Sequence, residues 1–428
     1  MTTIPGSIVV DPEAAAAFRA LWEPLLPLGR DDRTGGYRRF AWTAADTACR
    51  EWFRTAAAER GMDVEVDRNG NLWAWWGRPG PDALVLGSHL DSVPDGGAYD
   101  GPLGIVSAFA AIDVLASATH RSGSARRPVA VVAFADEEGA RFGVACAGSR
   151  LMTGTLDPDR ARALTDADGT TLADAMRDAG HDPGHLGRDD AALARIGGLV
   201  ELHVEQGRHL VDVKAALGVA TAIWPHGRYR FTFTGEANHA GTTRLEDRRD
   251  PMLTYAETVL AARKKARLAD ARVTFGRVEV EPNGTNAVPS TVRAWLDARA
   301  ADDVALSDLV ASIDRGARER ADRDGTQVDV VAESVSPVVA FEPSLSARLA
   351  AAAGDDDAVT RVPQIPTQAG HDAGVLAAHV PAAMLFVRNP SGVSHSPAEH
   401  ADQADCVAGV QALARFLAAE ALDGDALL

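Results

Sequence analysis

The 428-residue sequence is poor in several features that mark whole classes of protein. Its three cysteines, Cys49, Cys146 and Cys406, are odd in number and in no metal-ligand spacing. No disulfide framework is expected of such a set, and a reducing compartment is the simpler reading. No stretch approaches the ~20 uninterrupted apolar residues that cross a bilayer. The opening MTTIPGSIVVDPEAAAAFRALW lacks the basic start and continuous apolar core of a signal peptide, so a cytoplasmic location is expected. Asn283-Gly284-Thr285 fits a glycosylation sequon, which reads as a chance match without a secretion signal. Positive charge is in deficit: 43 Lys and Arg against 60 Asp and Glu leave a net charge of −17. That balance repels nucleic acid and anionic membranes, and neither is expected as a partner. Internal repeats and low-complexity tracts are missing as well.

What remains is ordinary globular material, 46% hydrophobic and 24% charged, long enough for about two to three domains. Residues 11–62 read as helical, and 63–77 as a hairpin around an Asn-Gly turn. ALVLGSHLDS (83–92), VAVVAFADEEG (129–139) and GGLVELHVEQG (197–207) are short apolar runs that each end in polar or ligand-type residues. They predict buried strands with a site at their C-terminal ends, and GIVSAFAAIDVLASA (104–118) predicts a helix packed on that sheet. The middle of the chain differs. GRYRFTFTGEA (227–237) alternates as a half-exposed strand does, and 250–269 is a long amphipathic helix. Strands at 272–280 and 290–300 and a helix at 301–325 complete a ferredoxin-like β-α-β-β-α-β order, expected to form an inserted domain. The α/β character returns from about 333. Residues 153–196, rich in Asp, Ala and Gly, are not assignable.

Chemistry concentrates at the strand ends. His89 can give an imidazole nitrogen to a divalent metal while Asp91, two residues on, orients the ring. Asp100, in a Gly-rich turn, can return to the same metal, and a carboxylate can bridge two cations. Asp136-Glu137-Glu138 repel one another at the end of an apolar strand, a cost that a cation relieves. Adjacent side chains point opposite ways, so Glu137 and Glu138 can divide proton transfer and metal binding. Each element also has a plain alternative: a strand-end histidine bonded to an aspartate, a solvated acidic turn, and, for His203, a satisfied core histidine. His395 lies in a polar, Gly-punctuated loop, which favours function, and nothing local fixes the role of His239. Together, oxygen and imidazole donors suit Zn, Mn, Co or Ni better than Ca or Mg.

In order from about residue 30 to the C-terminus, GSHLDSVPDGGAYDGPLGI, FADEEGARFG, ELHVEQG, GEANHAGTT, PNGTNAVPSTVRAWLDAR, QAGHDAG and NPSGVSHSP resemble the motifs of the amidase/hydantoinase/carbamoylase family of dimetal hydrolases. Allantoate amidohydrolases and N-carbamoyl-L-amino-acid hydrolases belong there, with aminoacylases and dimetal carboxypeptidases as relatives. The resemblance implies a catalytic α/β domain with a mixed sheet over 1–213 and 333–428. An α+β lid and dimerisation domain would occupy 214–332. It implies two divalent metals, one held by His89, Asp100 and His203, the other by Asp100, Glu138 and His395. Asp91 would orient His89, and Glu137 would be the general base for the attacking water. Histidine at position 203 marks the amidase group, since the peptidase relatives tend to use a carboxylate. His239 and Asn286 would polarise the scissile carbonyl, Arg299 would fork onto a substrate carboxylate, and Gln206 and the backbone at Gly370 would complete the pocket. A homodimer is implied, in which His239 and Asn286 can reach the partner's site. The expected reaction is hydrolysis of a carbamoyl or ureido amide on a small carboxylate. An N-formyl or N-acyl amino acid amidohydrolase, a dipeptidase and an inactive binding relative are the alternatives. Two departures bear on substrate: Arg244-Leu245 follows HAGTT where the family often has Pro-Met, and Trp224-Pro225-His226 replaces a plainer Gly-containing turn.

Overall fold

The apolar runs become the buried strands of a mixed sheet in the computed structural model, which describes residues 11–119, 127–354 and 362–421. The first strands are β1 (Asp63–Val66), β2 (Leu72–Trp76), β3 (Ala83–His89), β4 (Val129–Phe134), β5 (Ile196–Val204) and β6 (Leu217–Ile223). Then come β7 (His226–Thr234), β8 (Asn238–His239), β9 (Arg272–Glu281), β10 (Ala287–Val288), β11 (Thr291–Arg299) and β12 (Gln327–Ser336). The last are β13 (Val339–Ala340), β14 (Gln364–Thr367) and β15 (Ala382–Val387). Two compact units result: residues up to Thr221 with those from Ala340 onward, and Ala222–Val339.

In the first unit the sheet order among the described residues is β1-β2-β4-β3-β5-β15-β6-β13, with β14 on β6. Neighbours β4, β3, β5 and β15 run parallel, while β1, β2 and β6 join antiparallel. Every residue of β3, β4 and β15 is buried, which explains why these segments read as continuous apolar runs rather than alternating ones. Helices α1 (Pro12–Leu25), α2 (Ala44–Glu59) and α3 (Pro102–Thr119) join the helix Gln403–Ala421 in one apolar core with β3, β4 and β5. Asp11 caps α1 by accepting from Glu13 N, and Pro12 sits where its missing N–H costs nothing.

The expected helical run over 11–62 is broken. Between α1 and α2, turns and bridges occupy the chain, with Gly29 and Gly35 at φ +70° and +76°. Helix propensity there yields to Pro27 and these left-handed glycines. The segment 153–196 forms short capped helices, Pro158–Arg162, Leu172–Asp178 and Asp190–Leu193. Leu156, Leu172, Met176 and Leu186 join a separate apolar cluster with Trp42 and Phe142.

The second unit has the sheet order β12-β7-β11-β9, all antiparallel, with helices Pro251–Leu268 and Asp303–Asp324 packed on it. That is the ferredoxin-like arrangement. Tyr229, Phe231 and Phe233 on β7 alternate into its core with Val292, Leu296 and Ala298 on β11, and Leu309 and Ile313 come from the second helix. The unit begins at Ala222 because β6 pairs with β15, and it ends at Val339 because β12 runs on to Ser336. Among the described residues no helix is long and apolar enough to cross a membrane.

Candidate metal centre and active site

The parallel strands β3, β4, β5 and β15 deliver their polar residues at one edge of the sheet, where ligands bind in open α/β sheets. His89 is the last residue of β3, and the carboxylates 136–138 follow β4. His203 lies one residue before the end of β5, and the loop after β15 carries His395. Asp100 comes from the turn before α3. Gly101 there has φ +84°, and a Cβ would stand 2.4 Å from the His89 ring, so only glycine lets the turn close on that imidazole.

Asp100 is the hub. Its Oδ1 lies 3.1 Å from His203 Nε2 and 3.5 Å from His89 Nε2, and its Oδ2 lies 3.4 Å from His395 Nε2. His395 Nε2 is in turn 3.8 Å from Glu138 Oε2. Two ligand groups therefore share one carboxylate: His89, Asp100 and His203 on one side, Asp100, Glu138 and His395 on the other. These are the residues expected at each metal.

The donor set fits divalent cations. His89 Nε2, His203 Nε2 and Glu138 Oε1 are buried without a hydrogen-bond partner, an arrangement that costs free energy unless a cation takes the lone pairs. Both rings turn Nε2 inward because Nδ1 faces a main-chain carbonyl, of Asp91 at 3.1 Å for His89 and of Val204 at 2.9 Å for His203. Burial, then the charge of Asp100, pushes the Glu138 carboxyl up to about 8. Burial likewise pushes Glu137 well above the ordinary range, although His89 opposes it. For Asp100 burial acts upward too, but the neighbouring imidazoles, His203 first and then His89, outweigh it and hold the group well below the usual carboxylate value. So much buried negative charge in one place calls for countercharge.

Asp91 faces His89 and also bonds to the acidic turn. Its Oδ1 is 3.5 Å from His89 Nδ1, while its two oxygens accept from Glu137 N at 3.1 Å and Glu138 N at 3.0 Å. It ties the end of β3 to the acidic turn after β4. Glu137 Oε2 is 3.7 Å from His89 Nε2, and the Cys146 thiol donates to Oε1 at 3.3 Å. Gln206 donates to Asp100 Oδ2 at 2.8 Å, at the rim of the cluster. Gly370 is exposed and directly precedes buried His371.

Four residues without an expected role belong to this region. Glu399 Oε1 accepts from Tyr99 N and Asp100 N at 3.2 and 3.0 Å, and its Oε2 accepts from Ser394 Oγ at 3.0 Å. Gly97 leaves it room, since a Cβ would lie 2.4 Å from Oε1. Glu201, buried in β5, accepts from Ser88 Oγ at 2.7 Å and Ala373 N at 2.8 Å. The His371 ring packs 4.6 Å from that of His203, and Ser149 donates to Asp372. A charged residue inside an apolar strand and an adjacent His-Asp pair were the available signals, but their partners lie far away in sequence.

In the second unit β8 pairs with β10, and Ala240 N donates to Asn286 O at 3.0 Å, which brings His239 and Asn286 together. Arg299 lies elsewhere, at the far end of β11, where it pairs with His226 in register and donates to Asp297 at 2.8 Å. Thr291, at the near end of β11, is eight strand steps away, roughly 27 Å at strand rise. One unit thus separates Arg299 from His239 and Asn286 by much more than the length of a small ureido acid.

Comparison with known proteins is consistent with this geometry. Residues 85–419 match the peptidase family M20/M25/M40. The chain is 36% identical over 402 residues to an N-carbamoyl-L-amino acid amidohydrolase of Geobacillus stearothermophilus, covering 92% of this chain and 96% of the relative. The chain belongs to the M20 family. An allantoate amidohydrolase of Escherichia coli strain K12 is 34% identical over 411 residues, 94% of this chain and 97% of that one. The crystal structure of a hydantoinase/carbamoylase family amidase from Burkholderia multivorans superposes with a TM-score of 0.84 at 29% identity, covering 98% and 100% of the two chains. Within the M20 family the chain is an amidohydrolase, and its large mixed sheet is that of the family's dimetal hydrolases.

Proposed function

We propose that this M20 amidohydrolase cleaves the carbamoyl C–N bond of a small ureido carboxylate, an N-carbamoyl-L-amino acid or allantoate. The observation that carries the reading is the pair of ligand groups sharing Asp100, with Glu137 at its side and histidine rather than a carboxylate at position 203. Two divalent ions (Zn, Mn, Co or Ni) held by His89, Asp100, Glu138, His203 and His395 would polarise the carbonyl and make the attacking water more acidic. Glu137 accepts the proton of that water and returns it to the leaving nitrogen. The water oxygen bonds to the carbamoyl carbon, the C–N bond breaks, and the carbamate released falls to ammonia and carbon dioxide. Arg299 forks onto the substrate carboxylate, Gln206 and the backbone at Gly370 border the pocket, and His239 and Asn286 donate to the developing oxyanion.

The working form is a homodimer through the second unit, acting in the cytoplasm. The span between Arg299 and His239 supports it, because one small substrate meets both only if they come from different copies. Leu253 and Leu260, about two helical turns apart on Pro251–Leu268 and 55% and 64% exposed, supply apolar surface for the contact. N-formyl and other N-acyl amino acids are the second reading, since Arg299 serves any α-carboxylate.

The test is a product assay on the metal-reconstituted enzyme and its chelated control, offering allantoate, several N-carbamoyl-L-amino acids, N-formyl-L-glutamate and a dipeptide. Ammonia from a ureido substrate, lost on chelation, is the expected result. Formate or free amine without ammonia would move the enzyme to the second reading, and turnover undiminished by chelation would refute the metal site.

A further inference from the structure

His239 is exposed at the end of β8, yet its ring is not free to choose its proton position. The main-chain N–H groups of Gly241 and Thr242 both point at Nδ1, at 3.0 and 3.2 Å. A nitrogen that accepts two N–H bonds presents its lone pair, so the proton of the neutral ring sits on Nε2. The turn that aims these groups is itself braced. Thr243 N and Oγ1 donate to His239 O at 3.1 and 2.8 Å, and Ala240 N donates to Asn286 O. The carbonyls of the turn face inward, toward half-buried Arg248. Its Nη2 donates to Ala240 O at 2.6 Å and to Thr243 O at 3.1 Å, and its Nε donates to Thr243 O at 3.1 Å. Glycine at 241 lets the turn sit close under the ring, since a Cβ would lie 3.3 Å from His239 Cε1, a tighter approach than ordinary contact.

We propose that Arg248 is a positioning residue that folds the 240–243 turn under the His239 ring and so locks the imidazole in its Nε2–H tautomer. The ring is thereby a ready-made hydrogen-bond donor, with no lone pair left at Nδ1 to act as a base. A planar five-donor guanidinium can hold two carbonyls of one turn at once, whereas a lysine ammonium lacks the fork geometry. The step from donor to oxyanion contact rests on the function proposed above. The tautomer itself does not, since it follows from hydrogen bonds within the second unit alone.

The experiment is a long-range proton–nitrogen correlation spectrum of the full chain labelled with [15N]histidine, in which the His239 signals are those missing from His239→Gln. The wild-type ring is expected in the Nε2–H form. Arg248→Ala is expected to give a mixture of tautomers and roughly a tenfold or greater fall in kcat with KM little changed, short of the ~10²–10³-fold loss of a whole oxyanion donor. Arg248→Lys should recover only part of either. A wild-type ring in the Nδ1–H form would overturn the proposal, as would an Arg248→Ala spectrum with the tautomer unchanged. Absence of ureido hydrolysis would remove the oxyanion role and leave the spectrum to decide the lock.

Discussion

Glu137 is 6% exposed and has both oxygens within reach of other groups, Oε2 of His89 and Oε1 of the Cys146 thiol. Its carboxyl sits well above the ordinary range first because burial penalises the charge, a setting that suits the proton transfer proposed for it. Glu137→Gln keeps the shape and the neighbouring proposed ligands but removes the proposed proton acceptor. The variant is expected to retain its metal, measured by elemental analysis, while kcat falls ~10²–10⁴-fold. Near-native turnover would show that another group takes the proton. At this scale the candidate site was largely legible in the sequence, because each proposed ligand closes an apolar run or sits in a Gly-rich turn. The tie from the Asp91 carboxylate to the acidic turn was not legible. Its partners are main-chain N–H groups of residues 46 and 47 positions away, which no side-chain pattern announces.

Among elements, β3, β4 and β15 were readable because burial on both faces writes a continuous apolar run. β7 and β11 were readable because one buried face writes alternation. The segment between α1 and α2 was misread, since Ala-rich and Arg-rich periodicity on either side masked Pro27, Gly29 and Gly35. Glu399 shows what pattern cannot reveal. It joins the turn carrying Asp100 to the loop carrying His395, two segments almost 300 residues apart, by accepting from Tyr99, Asp100 and Ser394. Both segments supply ligands to one proposed metal position, so the carboxylate holds the spacing that the ion would need. Glu399→Ala is expected to weaken metal retention about 10- to 100-fold in a competition with chelator, the range seen when groups behind metal ligands are lost. Unchanged retention would reduce Glu399 to a loop brace.

For the whole molecule, the two units divide the residues of the proposed chemistry. The first holds every proposed metal ligand and Glu137; the second holds His239, Asn286 and Arg299. The ferredoxin-like order was visible from the sequence, whereas the span along β11 that separates Arg299 from His239 needed the strand register. Under the proposed function that span favours a site shared between copies, which a symmetric dimer would make twice. Complementation tests it most directly. Glu137→Gln and His239→Ala chains, each inactive alone, are co-expressed and assayed for ammonia release from the ureido substrate. A shared site predicts recovery of about a quarter of wild-type activity, since half the dimers are mixed and each mixed dimer holds one intact site. Mixed dimers that form but release no ammonia would contradict the account, placing Glu137 and His239 on the same chain or His239 outside the reaction.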